Sequence, residues 1–210
     1  MKAIIQKYIT YNNEEYQRYN SWNHCYEAFG TLQDAKLLSL HLGFYLASWG
    51  MYRGSSKLLE RDYLVHIKAV KIIKNYSHLR FSSKHKVCLA DVPAILNLIR
   101  ELSKYYKDIH NVTPTDTLIS KIILGTLGCL PAFDRFFIAG VKQHKFKFKT
   151  LKKKSLEKLL LFQEQNQLQL NIIQKDLPEY PLMKIVDMYF WQIGFELSNK
   201  KIENGKTELL

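Results

Sequence analysis

One aspartate stands where a carboxylate could do chemistry on a sugar. Asp134 follows Pro131 and precedes apolar residues at helical spacing, so the pattern predicts that it lies in the first turn of a helix beginning at Pro131. A helix N-terminus favours an ionised carboxylate. Such a group can stabilise positive charge that develops on a sugar, or help water attack the same carbon. The same placement equally suits an acid that only caps its helix or pairs with Arg135.

Aromatic and sulfur-containing side chains cluster earlier in the chain, where a helix ends and a turn follows. Candidates for a pocket that holds a planar base are Phe44, Trp49, Met51 and Tyr52. Of these, we expect Trp49 and Tyr52 to sandwich the base. A purely structural role in the core is the alternative for such rings. Arg53, Ser55 and Ser56 follow directly and suit contacts with phosphate.

A strongly basic segment follows the predicted helix of Asp134. Residues 142–154 interleave two phenylalanines with seven lysines, Lys142, Lys145, Lys147, Lys149, Lys152, Lys153 and Lys154. Contacts with backbone phosphates are one interpretation, and such contacts make affinity depend steeply on salt. A solvated basic loop is the other.

The segment from Asn111 to Phe137 encodes a tight turn, a helix, a short loop and then the candidate acid. This order and spacing resemble the helix-hairpin-helix DNA glycosylases of the endonuclease III superfamily, in which Asp134 matches the position of the catalytic aspartate. The segment from Leu46 to Ser56 is similar to that family's early helix end and turn, beside the base pocket. The resemblance covers about residues 37 to 141. It implies an enzyme that flips a base out of double-stranded DNA and cleaves its N-glycosidic bond, with no cofactor or metal.

The sequence departs from that family at the hairpin. The stretch Val112-Thr113-Pro114-Thr115 contains no glycine, so we expect phosphate contacts by Thr113 and Thr115 to be weaker or differently built. Bifunctional members carry a lysine after the hairpin that attacks the sugar, but the matching position here is Thr115 or Asp116. This departure favours a monofunctional, hydrolytic enzyme. Lys121, one turn further on, and Asp116 remain candidates for a catalytic role.

Helical periodicity and capping residues recur along the chain, and no segment reads as a strand. We predict an all-α protein of two lobes, with the base in the cleft between them. One lobe spans about residues 46–128, the other joins 1–45 to 130–198, and a polar tail covers 199–210. Predicted helices begin with the caps Thr31 and Asp34, with Asp91, with Thr113-Pro114-Thr115-Asp116 and with Pro131, and then cover about Ser155 to Lys175 and about Pro181 to Ser198.

Composition narrows the class of partner. A formal net charge of +12, from 31 Lys and Arg against 19 Asp and Glu, favours a polyanion, with nucleic acid ahead of an anionic membrane surface. No apolar run is long enough to span a bilayer, and Met1 to Thr10 lacks the apolar core of a signal peptide. We therefore expect a cytoplasmic protein with no membrane partner and no obligate protein partner. The three cysteines are far apart in sequence, which favours buried, reduced thiols over a zinc site.

Two other functions fit parts of the sequence. Small helical ribonucleases of the HEPN type carry an Arg followed at short spacing by a His, and both Arg61 to His66 and Arg80 to His85 satisfy that pattern. Chance alone gives about 0.6 such matches in a chain of this composition. A non-catalytic nucleic-acid-binding protein would show the same charge. The base that a glycosylase would remove is not specified by these residues, so repair and defence against phage DNA with modified bases both stay open.

Overall fold

Ten α-helices make up most of the chain in the computed structural model, which describes residues 1–12, 16–53, 56–82, 85–109 and 112–207. Their bounds are α1 Lys2–Asn12, α2 Asn20–Thr31, α3 Ala35–Ser48, α4 Ile67–Asn75, α5 Val92–Asp108, α6 Asp116–Thr126, α7 Arg135–Gln143, α8 Lys153–Gln165, α9 Gln167–Asp176 and α10 Leu182–Thr207. Within these ranges there is no β-strand, only an isolated bridge between Ser82 and His85. The predicted all-α class is confirmed.

Capping side chains fix the starts of the helices that carry the candidate residues. Asp34 caps α3 by accepting a hydrogen bond from the amide of Leu37 at 2.7 Å, while Thr31 is the last residue of α2 and not part of this cap. Thr115 caps α6 by accepting from the amide of Leu118 at 3.1 Å. A single capping hydrogen bond of this kind is worth about 1 kcal/mol.

Three predicted helix boundaries need correction. Pro131 lies in the loop before α7, because Asp134 takes the capping position and the helix begins at Arg135. The helix predicted to run from Ser155 to Lys175 is broken at Asn166 into α8 and α9. The last helix continues to Thr207, well past the predicted end at Ser198, so most of the predicted tail is helical. A polar composition alone therefore did not mark a helix end.

Helices α7 and α10 pack closely, with glycines at their crossing. A side chain added at Gly140 would collide with the carbonyl oxygen of Phe190, and one added at Gly194 would collide with that of Phe136. Because both obstacles are backbone atoms, neither can move aside without displacing a whole helix. This crossing sets the distance between the start of α7, which carries Asp134, and the middle of α10.

Most buried apolar side chains form one continuous cluster to which helices from both halves of the chain contribute. Trp22 on α2 illustrates the link, since its indole N–H donates to the carbonyl of Leu124 on α6 at 3.0 Å. No helix in the described ranges combines the length and the apolar character that crossing a bilayer requires.

Replacing Gly194 with alanine is expected to destabilise the fold by about 3 kcal/mol, because the added methyl group would have to separate α7 from α10. Urea unfolding of the variant measures this loss. Asn199→Ala is the matched control, since it also places an alanine on α10 but at an exposed position. Equal unfolding midpoints for the two variants would show that the crossing is not tightly constrained.

Candidate active site

Asp134 lines a cavity of about 480 Å³ between the turn after α3 and the helices α6, α7 and α10. This volume lies within the range of about 300–1,000 Å³ that is typical of small-molecule sites. Aromatic rings supply much of the wall, from Trp49, Phe136, Trp191 and Phe195. Three cations and two smaller side chains complete it, namely Arg18, Lys121, Arg135, Met51 and Thr117. The cavity thus combines one carboxylate with stacking surfaces and an excess of positive charge.

Both oxygens of the Asp134 carboxylate accept hydrogen bonds from neighbouring groups. One oxygen, Oδ1, accepts from the amides of Phe136 and Phe137, both at 3.0 Å, which makes Asp134 the N-cap of α7. The other, Oδ2, accepts from the Nζ of Lys121 at 3.0 Å. The residue is therefore a helix cap and a cavity residue at once. Capping a helix and lining a cavity are therefore compatible roles for Asp134. Its ion-pair partner is Lys121 on α6 and not Arg135.

Lys121 is almost completely buried, with a side-chain exposure of 4% against 12% for Asp134. Its ammonium group also lies 4.6 Å from the centre of the Trp49 ring, a distance at which a cation is attracted to an aromatic face. A buried lysine requires such partners, since burying an unpaired charge costs several kcal/mol. The carboxylate and the ring together hold the ammonium group at the cavity wall.

Three hydrogen bonds fix the loop that presents Asp134. The Thr117 hydroxyl donates to the carbonyl of Phe133 at 2.8 Å, and the amide of Phe133 donates to the Ser120 hydroxyl at 2.8 Å. From the other side, the amide of Ala132 donates to a carboxylate oxygen of Asp187 on α10 at 2.9 Å. The loop is therefore anchored to both α6 and α10, which limits how far Asp134 can move.

Asp187 belongs to a second buried ion pair behind that loop. Its carboxylate lies 3.2 Å from the Nζ of Lys184, which also donates to the hydroxyl of Tyr8 at 3.1 Å. Burial raises the pKa of Asp187, and the charge of Lys184 opposes that rise. This group is enclosed by the core and does not line the cavity, so its role is to hold the loop.

The aromatic walls pack mainly against one another. Trp191 stacks on Phe195 with ring centres 5.0 Å apart and meets Trp49 edge to face at 6.0 Å. The guanidinium group of Arg18 lies 5.2 Å from the centre of the Trp49 ring. Edge-to-face and stacked pairs of this kind stabilise ring orientation beyond their buried area. Contacts within the protein therefore hold the aromatic walls in place.

Four of the predicted site residues meet in this cavity, namely Trp49, Met51, Lys121 and Asp134. Sequence reasoning missed Trp191 and Phe195, which lie one turn apart on α10, far along the chain from Asp134. Their helical spacing was the available signal, but it equally predicts core residues. Arg18 precedes α2 and carried no recognisable motif.

Tyr52 and Phe44, both predicted to line a base pocket, lie outside the cavity at Asp134. The Tyr52 hydroxyl hydrogen bonds to the Nε2 of His66 at 2.9 Å, which turns the ring toward α3 and the segment before α4. Phe44 is 57% exposed on the outer surface of α3. Neither side chain is part of the cavity wall. Trp49 therefore has Trp191 as its aromatic neighbour in the cavity instead of Tyr52.

The predicted phosphate contacts near the turn after α3 are only partly available. Ser56 is buried, and its hydroxyl donates to the carbonyl of Met51, so it cannot serve a phosphate. Arg53 is exposed, and Ser55 lies outside the described residues. The amide of Thr113 donates to the carbonyl of Ser56 at 3.2 Å, which ties this turn to the segment before α6.

The two threonines of the predicted hairpin differ in availability. The hydroxyl of Thr115 is occupied as the cap of α6, whereas the Thr113 side chain is exposed. The Thr115 oxygen thus accepts from its own helix while its O–H can still donate, and the exposed Thr113 hydroxyl is the more accessible of the two.

Asp116 does not reach the cavity and has a different task. Its carboxylate accepts a hydrogen bond from the amide of Leu151 at 2.8 Å, which fastens the end of the lysine segment to the start of α6. Phe148, within that segment, lies 6.0 Å from the ring of Phe133, the residue before Asp134. The segment 142–154 therefore runs close to the loop that carries Asp134. All seven of its lysines are exposed.

The arrangement of His66 argues against the ribonuclease alternative. Its side chain is fully buried between the hydroxyls of Tyr52 and Tyr106, with the Nδ1 of the ring 2.7 Å from the latter. An imidazole in this position cannot touch RNA. The match from Arg80 to His85 is also unsuited to RNA cleavage. The guanidinium group of Arg80 already donates to the carbonyls of Tyr26 and Thr126.

Comparisons with known protein families, curated proteins and solved structures find no match to this chain. Within the described residues, no three His, Cys, Asp or Glu side chains are arranged to hold a metal ion. The functional interpretation therefore depends on the geometry of the cavity itself.

Acid should destabilise the protein through His66. Burial lowers the pKa of His66 to about 3, below its ordinary value of 6.5, so the folded state holds it neutral while the unfolded state binds a proton below pH 6.5. Its contribution to stability is therefore complete above pH 6.5 and is lost as the pH decreases toward 3. The loss is about 1.4 kcal/mol per pH unit.

The comparison of wild type with His66→Gln isolates this effect. The variant is less stable near neutral pH because it lacks the imidazole between the two tyrosines, but the difference in unfolding free energy should shrink steadily in acid. Tyr52→Phe keeps the imidazole and should retain the wild-type pH dependence. A difference between wild type and His66→Gln that stays constant with pH would refute the assignment.

Proposed function

We propose that this protein is a DNA N-glycosylase, which hydrolyses the N-glycosidic bond of a damaged or modified base and leaves an abasic site. The observation that carries this proposal is the position of the Asp134 carboxylate, at a helix N-terminus and at the wall of an aromatic cavity. A base must leave the DNA stack to reach such a site, and aromatic walls are suited to hold it.

The cavity supplies what cleavage of this bond requires. As the bond between the sugar carbon C1′ and the base nitrogen breaks, its electron pair leaves with the base and positive charge develops on the sugar. The Asp134 carboxylate can stabilise that charge. A water molecule then bonds to C1′, so that its hydroxyl stays on the sugar and its remaining proton is passed, through Asp134, to the departing base.

The environment of Lys121 supports hydrolysis over attack by an amine. As an ammonium group paired with Asp134, Lys121 would first have to lose a proton before it could attack C1′. It instead restrains the carboxylate oxygen that faces it, at 3.0 Å. A monofunctional enzyme is therefore the form of the proposal that fits this pairing.

Positive charge around the cavity supports DNA as the substrate. Arg18 and Arg135 line the cavity, and the lysine segment 142–154 is held close by through Asp116 and Phe148. Contacts with phosphates would position double-stranded DNA so that one nucleotide can enter. A non-catalytic DNA-binding protein would share these charges, and release of a base is the property that distinguishes the two.

Asp134→Asn leaves the buried Lys121 ammonium group without its carboxylate, so the variant should be less stable than wild type. At temperatures where its circular dichroism matches that of wild type, it should keep DNA affinity but reduce base release by at least about 100-fold, since the charge acts in the transition state. Asn is also a good helix cap, so α7 should remain intact. The measurement incubates the protein with genomic and phage DNAs of varied base modification and detects released bases by mass spectrometry. Strand breaks should appear only after alkaline treatment, as hydrolysis without lyase activity requires.

Asp34→Asn is the matched control, because this acid also caps a helix but lies outside the cavity and should leave base release unchanged. Base release by Asp134→Asn at the wild-type rate would contradict the catalytic role of Asp134. Release of no base from any DNA, together with degradation of added RNA, would instead favour a nuclease.

Replacing Lys149, Lys152 and Lys154 with glutamine should weaken DNA binding and flatten its dependence on salt. Each phosphate contact that is lost reduces the slope of log affinity against log salt by about 0.9. The matched control replaces three exposed lysines outside the segment, Lys36, Lys71 and Lys107. Equal slopes for the two triple variants would exclude the segment from the interface.

A further inference from the structure

A groove of about 520 Å³ continues from the cavity along α7 and α10. Arg135 and Phe136 line both, so they form the boundary between the cavity and the groove. The guanidinium group of Arg135 lies 4.5 Å from the centre of the Phe136 ring, which holds this cation at the boundary. Lys142 lines the groove further along α7. A ligand that occupies the cavity could thus extend into the groove without crossing a wall.

The groove is positively charged and carries no acid. None of its lining side chains is a carboxylate, and no described carboxylate lies within ion-pair distance of Arg135 or Lys142. Both cations are exposed. A site of this kind is suited to an anion, because its positive charge is not already neutralised within the protein.

The spacing of the two cations matches a chain of phosphates. They lie seven residues apart on α7, hence on one face of the helix and about 10 Å apart along its axis. Successive phosphates of one DNA strand wind around the duplex, so they are further apart in space than their axial rise of about 3.4 Å. Two cations about 10 Å apart therefore suit phosphates one or two nucleotide steps apart. Two cations on one helix face could therefore hold phosphates of a single strand.

A second groove, on the other side of the cavity, offers a contrast. It shares Phe195 with the cavity, but it contains Glu196, whose carboxylate accepts a hydrogen bond from Lys7 at 2.9 Å. The charge of Lys7 is therefore already used, and the acid repels phosphate. Lys200 also lines this second groove, so its lining has two cations and one acid, against two cations and no acid in the groove along α7. The groove along α7 should therefore attract phosphate more strongly, which gives the site a direction.

We propose that the groove along α7 and α10 binds the sugar-phosphate backbone of the strand that carries the extruded nucleotide. Arg135 binds the phosphate at which this strand passes from the groove into the cavity, and Lys142 binds a phosphate further along on the same side. The proposal rests on the proposed function, since it takes the cavity as the place of the extruded nucleotide. It makes the interface asymmetric, with one flank of the nucleotide held more firmly than the other.

The test uses DNA duplexes that carry a tetrahydrofuran abasic-site analogue and a single neutral methylphosphonate at one of about three phosphates on either side of it. Wild-type protein should lose roughly tenfold in affinity when the phosphate bound by Arg135 is neutralised. Arg135→Gln should bind the unmodified duplex more weakly and show no further loss at that phosphate. Lys142→Gln should lose its sensitivity at a more distant phosphate on the same side. Arg100→Gln, an equal loss of charge on α5, should behave as wild type at every phosphate.

Two outcomes overturn the groove assignment. One is that both variants keep the full wild-type sensitivity at every phosphate, and the other is that wild type is equally sensitive on the two sides of the analogue. Base release is measured separately, so the two proposals can fail independently. Coupling between Arg135 and one phosphate without any base release would support the groove and contradict the glycosylase. Base release without coupling would overturn the groove alone.

Discussion

The buried ion pair between Lys121 and Asp134 is the interaction on which the geometry of the cavity depends. It joins α6 to the start of α7 at 3.0 Å, with both side chains largely removed from water. Breaking such a pair by removing one partner is costly, because the other charge is left buried and unpaired. The pair is therefore a strong restraint on where each group can be, although a buried pair adds little net stability. A carboxylate that must act on a sugar benefits from being held in this way.

The rest of the fold supplies the frame around that pair. The contact of α7 with α10 at Gly140 and Gly194 leaves no room for a side chain between the two helices. The loop before Asp134 is anchored on α6 by Thr117 and Ser120. The acid and the aromatic wall formed by Trp191 are therefore fixed relative to each other by backbone contacts and short hydrogen bonds. Such a frame preserves a site better than flexible surface loops would.

Local patterns predicted the helical class and several of the side chains that matter. Asp34 and Asp134 were recognisable because a cap is a matter of a few neighbouring residues. Lys121 is a candidate because it lies one turn beyond the position at which bifunctional members of the resembling family carry a lysine. In contrast, Trp191 and Arg18 reach the cavity only through tertiary packing, which the spacing of residues along the chain does not reveal. Tyr52 lies outside the cavity because its hydroxyl hydrogen bonds to the buried imidazole of His66, a contact that local spacing does not reveal.

The tautomer of the neutral His66 ring determines the direction of its hydrogen bonds with Tyr52 and Tyr106. A neutral ring carries one N–H, so one neighbouring tyrosine donates to it and the other accepts from it. Tyr106 is fully buried, and its hydroxyl proton is satisfied if it donates to Nδ1. The ring is then the Nε2–H tautomer and donates to the hydroxyl of Tyr52, which is only partly buried. The three groups form a polarised chain whose protons all point from the core toward the surface.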